Sequence, residues 1–280
     1  IRWTARLTLR PGKAFLEEDL RIFNPHDGVH PYYFWNNTAF PCNKGTRFIY
    51  PMSLGTDHSA EKFFTWPIHD GRDMTWLKNY PDMTSIFAWN CAFDFFGAYE
   101  VDLDRGIVQY ADHGVLPGKK AWTWGQADFG LVSQEALTDD DGPYIEVQSG
   151  PLATQSDYEF LMPRQEVAWQ EWWYPIHGLG NGFEYATRDV AIQSLRNDGD
   201  SVELRLLGTG VFQGARVVVK DGATVVADST LDLSPLGPQV VRVPSGATKP
   251  LSVSVRDRQG AMLAAYTTPL PIPPMTPPPA

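Results

Sequence analysis

Cysteine and basic charge are scarce in this 280-residue chain, and a long apolar run is missing altogether. Its two cysteines, Cys42 and Cys91, stand far apart and outside any C-x-x-C spacing, which excludes a zinc ribbon and a dithiol redox motif. They could bridge, but nothing in the spacing requires it, so the redox compartment stays open. Lys and Arg number 23 against 33 Asp and Glu, and the net charge of −10 leaves no basic patch for a phosphate backbone. Nucleic acid is thereby excluded as a partner, and a neutral ligand is favoured. No apolar stretch approaches the roughly 18 residues of a spanning helix. Helical periodicity is weak everywhere; the one tempting segment, near Arg188 to Leu195, is short. No repeat of solenoid length is present.

Reactive signatures are equally few. There is no G-x-S-x-G, and LGTG and GLGNG do not sit between a strand and a helix, so no dinucleotide loop and no cofactor are expected. HDGVH places His26 and His30 four apart, yet Pro25, Gly28 and Pro31 exclude the helix that would pair them, and no metal site is read. The three successive acids of TDDDG do not follow the alternation of a calcium loop; they read as a solvated hairpin tip. The opening IRWTARLTLRPG, without methionine or signal-like segment, reads as part of something longer.

What the chain does have is tryptophan, and it is unevenly placed. All ten tryptophans and all six histidines precede Gly178, and after Arg196 the remaining aromatics are Phe212 and Tyr266. The turn signal NDGD, Asn197 to Asp200, falls where the composition changes. Residues 198–280 carry seven Lys/Arg and seven Asp/Glu, so the negative charge belongs to the first part. The expected organisation is all-β. A large antiparallel sandwich covers 1–197, a small immunoglobulin-like β-sandwich of about seven strands covers 198–268, and a proline-rich linker or tail covers 269–280. SVELRLLG, ARVVVKDGATVVADS and LSVSVRDRQGAMLAAY supply the alternating strands of the small unit.

In a strand, residues two apart share a face. KAWTWGQ therefore groups Lys120, Trp122, Trp124 and Gln126. YIEVQSG groups Tyr144, Glu146 and Gln148 opposite the apolar Ile145 and Val147. HPYYFWNNTAF groups Tyr33, Trp35 and Asn37, and WQEWWYP groups Trp169, Glu171 and Trp173. The loop TWPIHDGRDMTWLKNYPD adds Trp66, Asp73 and Trp76, in the kind of segment where binding residues collect. Indole faces beside carboxylate, amide and amine groups suit a pyranose, whose axial C–H bonds pack on a ring while its hydroxyls take hydrogen bonds at the edge. Any one of these tryptophans is more simply a strand core residue; the alternating sets together favour a ligand.

FIYPM, TWP, GRDMTWLKN, GAYEVDLDRGIVQYADH, PGKKAWTWG, YIEVQSG and WQEWWYP, in this order, resemble a bacterial domain family of unknown function that often precedes tetratricopeptide repeats. The resemblance covers Ile1 to the NDGD turn and implies a galactose-mutarotase-like β-supersandwich, with N-terminal strands missing or supplied by another chain or segment. It further implies an oligo- or polysaccharide ligand on the concave sheet face. On that basis the leading expectation is a glycoside hydrolase in which Glu146 and Glu171 form the carboxylate pair. A non-catalytic carbohydrate-binding module is the alternative from another class. A sugar epimerase, using Glu146 with His113, is the third. Trp35, Asn37, Trp66, Asp73, Trp76, Lys120, Trp122, Trp124, Gln148 and Trp173 are the expected sugar contacts.

Overall fold

A computed structural model describes residues 1–196, 201–244 and 250–279; the NDGD turn lies outside the described residues. Two six-stranded antiparallel sheets form the first sandwich. The first sheet runs Arg2–Leu9, Leu16–Phe23, Glu166–His177, Arg105–Tyr110, Phe95–Glu100, Thr46–Ile49. The second runs Asn36–Pro41, Tyr144–Gly150, Gly118–Thr123, Thr84–Ala88, Leu54–Thr56, Phe63–Thr65. Strand alternation fills the space between them with Phe48, Ile86, Phe96, Ala98, Ala121, Ile145, Val147 and Trp173. As expected, the fold is all-β, with a large supersandwich and a small sandwich behind it.

Two four-stranded sheets make the second sandwich. One joins Tyr185–Ala186, Val190–Arg196, Val202–Gly208 and Gln239–Val243; the other joins Thr224–Leu233, Phe212–Asp221, Leu251–Arg256 and Met262–Thr268. The segment with helical temptation, 188–195, is a strand from Val190 on, and its Val190, Ala191 and Ile192 are all buried because both of its faces are covered. It pairs along its length with Val202–Gly208, so these residues before 197 are built into the second sandwich.

The outer face of the first sheet is covered as well. Phe95, Tyr99, Val108, Tyr174 and Ile176 point away from the second sheet and pack with Ala186, Ala191 and Leu207 of the second sandwich. The proline-rich end runs extended back over this body. Leu270 N donates to Glu184 Oε1 at 2.8 Å, and Ser53 Oγ donates to Pro273 O at 2.7 Å while accepting from Met275 N at 2.9 Å.

One element was not expected. Asp128–Thr138 is an α-helix, where the sequence reads as continuing strand. Phe129, Leu131, Val132 and Leu137 are all exposed, so the helix has no apolar stripe toward the core and leaves no 3.6-residue signal. The acids of TDDDG accordingly close a helix rather than a hairpin. No helix is long and apolar enough to cross a membrane among the described residues. Cys42 and Cys91 are both buried and unbridged, and burial together with the nearby Glu100 pushes the Cys42 thiol up to about 12.

Candidate functional site

The second sheet turns one face into the core and the other outward, and the sequence decides which residue goes where. Phe40, Ile86, Ala121, Ile145 and Val147 point inward. Their neighbours point outward and meet across the ladders in two rows. Asn37, Gln148, Lys120 and Phe87 form one row; Ala39, Glu146, Trp122 and Ser85 form the next.

The first row is roofed. Trp35 lies across the paired Gly118 and Gly150, where a Cβ on either residue would come within 2.6 and 2.7 Å of its ring. Its indole meets Phe87 edge-on at 5.5 Å, and His58 meets the same ring at 5.6 Å. Gln155 spans the row: its amide oxygen accepts from Lys120 Nζ, and its Nε2 donates to Gln148 Oε1 at 3.1 Å. Ser156 Oγ holds the His58 carbonyl at 2.8 Å, and His58 Nδ1 lies 2.9 Å from Ser85 Oγ.

The second row is more open. Glu146 is half-exposed and accepts from Gln148 Nε2 at 2.5 Å. Beside it the half-exposed Trp122 and Trp124 meet edge-to-face at 5.4 Å. Lys120 Nζ lies 5.3 Å from the Trp122 ring centre and 5.4 Å from that of Phe87. Burial among these rings brings its amine down to about 8, against the opposing pull of Glu146. Burial, and then the Lys120 charge, also lowers His58, so the imidazole is neutral at pH 7. The face thus offers aromatic plates, one carboxylate, three amides, an imidazole, a hydroxyl and an amine under partial cover from water.

Of the expected residues the structure gathers Trp35, Asn37, Lys120, Trp122, Trp124, Glu146 and Gln148 on this face. It does not bring the rest to it. Glu171 is 0% exposed and lies between the sheets. Its Oε2 accepts from Gln109 Nε2 at 2.9 Å, Ser149 Oγ at 2.6 Å and Trp173 Nε1 at 3.1 Å, and its Oε1 accepts from Trp169 Nε1 at 3.3 Å. Ser149 points opposite to Glu146 on the same strand, so the second sheet separates the two glutamates. Trp173 faces the same interior. The reason is the strand's position: Glu166–His177 is the third strand of the first sheet, with the second sheet over one face and the second sandwich over the other.

Trp66 is also core, packed edge-on against Tyr50. Asp73 closes its own turn by accepting from the Thr75 amide and hydroxyl at 2.9 and 2.7 Å. Trp76 sits beside the first sheet, between Arg47 and Lys78 at 4.9 and 4.6 Å. His113 follows a first-sheet strand and bonds Asp94 through Nδ1 at 2.7 Å, away from Glu146. Asp94, Asp112 and His113 hold ligand atoms within 4.8 Å of one another, a spacing a metal ion can use. The Lys119 amine lies close by, buried and without a hydrogen-bond partner among the described residues, and burial lowers it from the usual lysine range.

Ser85, Phe87, His58 and Gln155 belong to the face but were not expected. The alternation of TSIFA around the inward Ile86 holds the signal for Ser85 and Phe87. His58 and Gln155 lie in loops, where no periodicity marks them.

A family model described as "Domain of unknown function (DUF5107)" matches residues 1–176, and one described as "YphG-like protein, second domain" matches residues 185–266. Among solved structures, a tetratricopeptide-repeat-domain-containing protein from Parabacteroides distasonis is 28% identical with a TM-score of 0.56, over 62% of this chain and 30% of that one. A galactose mutarotase-like protein from Lactobacillus casei is 11% identical with a TM-score of 0.42, over 62% of this chain and 63% of that one. The chain therefore spans less than two thirds of the length of either.

Proposed function

We propose that this chain, which belongs to the DUF5107 family of domains of unknown function, recognises a saccharide on the outward face of its second sheet. One observation carries the reading: Glu146 stands beside Trp122 and Trp124 with Lys120, Gln148 and Ser85 in the adjoining register positions and His58 bonded to Ser85. Stacking on the indoles would hold the ring, and the polar groups would take its hydroxyls. Glu146 is the only carboxylate in the two outward rows. Hydrolysis of a glycosidic bond calls for two carboxyl groups about 5–10 Å apart across that bond, and Glu171 lies on the wrong side of the sheet to be the second. Binding without cleavage is therefore the reading the geometry supports best.

The experiment is a glycan array followed by product analysis and titration on each glycan that binds. Binding without released products, weakened by Glu146→Gln, is the expected result. Release of shorter products that Glu146→Gln does not slow would sink it.

A second reading, epimerisation of an aldose, is favoured by a different detail. Ser85 and Glu146 lie in one register row on either side of Trp122, and the loop residue His58 bonds Ser85, an arrangement that could serve as acid and base across a sugar ring. Polarimetry on freshly dissolved α-anomers decides it: a rate no faster than buffer removes this second reading.

A further inference from the structure

Beyond the two rows the outward face continues into a groove of about 770 Å³, lined among others by Ala39, Pro41, Leu137, Asp139, Asp141 and Tyr144. Its floor is the same pair of strands. Ala39 is the register partner of Glu146, and Pro41 that of Tyr144, one alternation further along. Its wall is the end of the helix Asp128–Thr138 and the turn after it. The rings do not stop at the site either: Trp122 meets Trp124 at 5.4 Å, and Trp124 meets Tyr144 at 6.2 Å, each edge-to-face.

We infer that the groove is a second subsite, and that the ligand is a neutral oligosaccharide lying along the strands from Trp122 to Tyr144 rather than a single sugar. The inference rests on the saccharide reading of the adjoining face. Residues two apart on a strand are spaced by about 6.6 Å, so Glu146 and Tyr144 address successive parts of an extended chain. The chemistry of the groove names the class. Its rim carries the exposed carboxylates Asp139 and Asp141, and Glu146 stands at its near end, so hydroxyl donors are welcome and ligand carboxylates are repelled. Lys120, the one cation in the two rows, is already held by the Gln155 amide. A polyuronate therefore has no partner there.

Isothermal titration of the full chain tests this. The probes are ladders of neutral β-linked gluco-, manno- and galacto-oligosaccharides from one to six units, with oligogalacturonates alongside. In at least one neutral ladder, affinity rises about tenfold or more between one unit and four, the gain of one added stacking contact; the uronates bind more weakly or not at all. Tyr144→Ala flattens that rise. Ala39→Arg does so too, and because Ala39 is exposed on the groove floor the second variant tests the groove without touching the core. Flat affinity along every ladder overturns the inference while single-sugar binding leaves the saccharide reading standing. A rise that both folded variants retain, or tighter binding of the uronates, overturns it as well. Absence of binding at every length overturns both, and is told apart from a flat ladder by the missing single-sugar signal.

Discussion

Glu171 accepts four hydrogen bonds, two of them from Trp169 and Trp173, two residues away on either side. In WQEWWYP the alternation was legible, and Trp169, Glu171 and Trp173 do share a face. Which way that face points was not legible, because the carboxylate looks like a surface residue until its donors are known. Glu171→Ala would leave those donors facing a cavity, and a loss of about 3–5 kcal/mol is expected, the range for breaking a buried charge network. Glu146→Gln changes a half-exposed side chain and should move the melting temperature little. Denaturant unfolding of both variants checks this; equal stability of Glu171→Ala and parent would contradict the buried network. Glu18, on the neighbouring strand, is raised to about 7 by burial and then by the Glu171 charge, while the Asn36 bond at 2.8 Å works the other way. Between about 4.5 and 7 the folded protein keeps a proton that the unfolded chain has released, so stability falls as pH rises through this window. Glu18→Gln removes the penalty. Melting curves should show the variant ahead of the parent at pH 8 and level with it near pH 4; a constant difference would place the titration elsewhere.

At the scale of elements, alternation was a good guide wherever one face of a strand meets the core and the other does not. In YIEVQSG the inward Ile145 and Val147 set the face, as the contacts show; in KAWTWGQ the alternation holds for Lys120 and Trp122, but the strand ends at Thr123 and the turn at Gly125 takes Gln126 out of it. Where both faces are covered, as in Glu166–His177 and Val190–Arg196, alternation says nothing about direction. The helix Asp128–Thr138 escaped because its apolar residues face outward. The roof over the site depends on two glycines that no periodicity could have singled out. Trp35 rests on Gly118 and Gly150, and a side chain at either would occupy the space of its ring. Gly150→Val should therefore displace Trp35 and weaken saccharide binding by about tenfold, the scale of one lost aromatic contact. Titration with the best-bound glycan, with tryptophan fluorescence to follow the displaced indole, would show this; unchanged affinity alongside a shifted indole would remove Trp35 from the site.

At the scale of the whole molecule, the composition break near residue 197 falls after the second sandwich has already begun at Tyr185, and the two sandwiches are closely packed. Phe95, Tyr99 and Tyr174 of the first sheet share one apolar cluster with Ala191 and Leu207 of the second sandwich. Composition shows what each part is made of; it carries no trace of contacts made between the parts. That cluster fixes the outer side of the first sheet, the polar network around Glu171 fixes the inner side, and the outward face of the second sheet is left uncovered by either. Two tryptophans that looked equally suited to sugar in the sequence separate on this map: Trp122 stands beside Glu146, and Trp76 is held between Arg47 and Lys78 at the other sheet. The dissociation constant of one array-positive glycan, measured for the parent, Trp122→Ala and Trp76→Ala with their melting temperatures, shows whether the saccharide binds on the second sheet. The expected result is affinity weakened about tenfold or more by Trp122→Ala and left at the parental value by Trp76→Ala. Parental affinity in a folded Trp122→Ala, or a loss confined to Trp76→Ala, would contradict it.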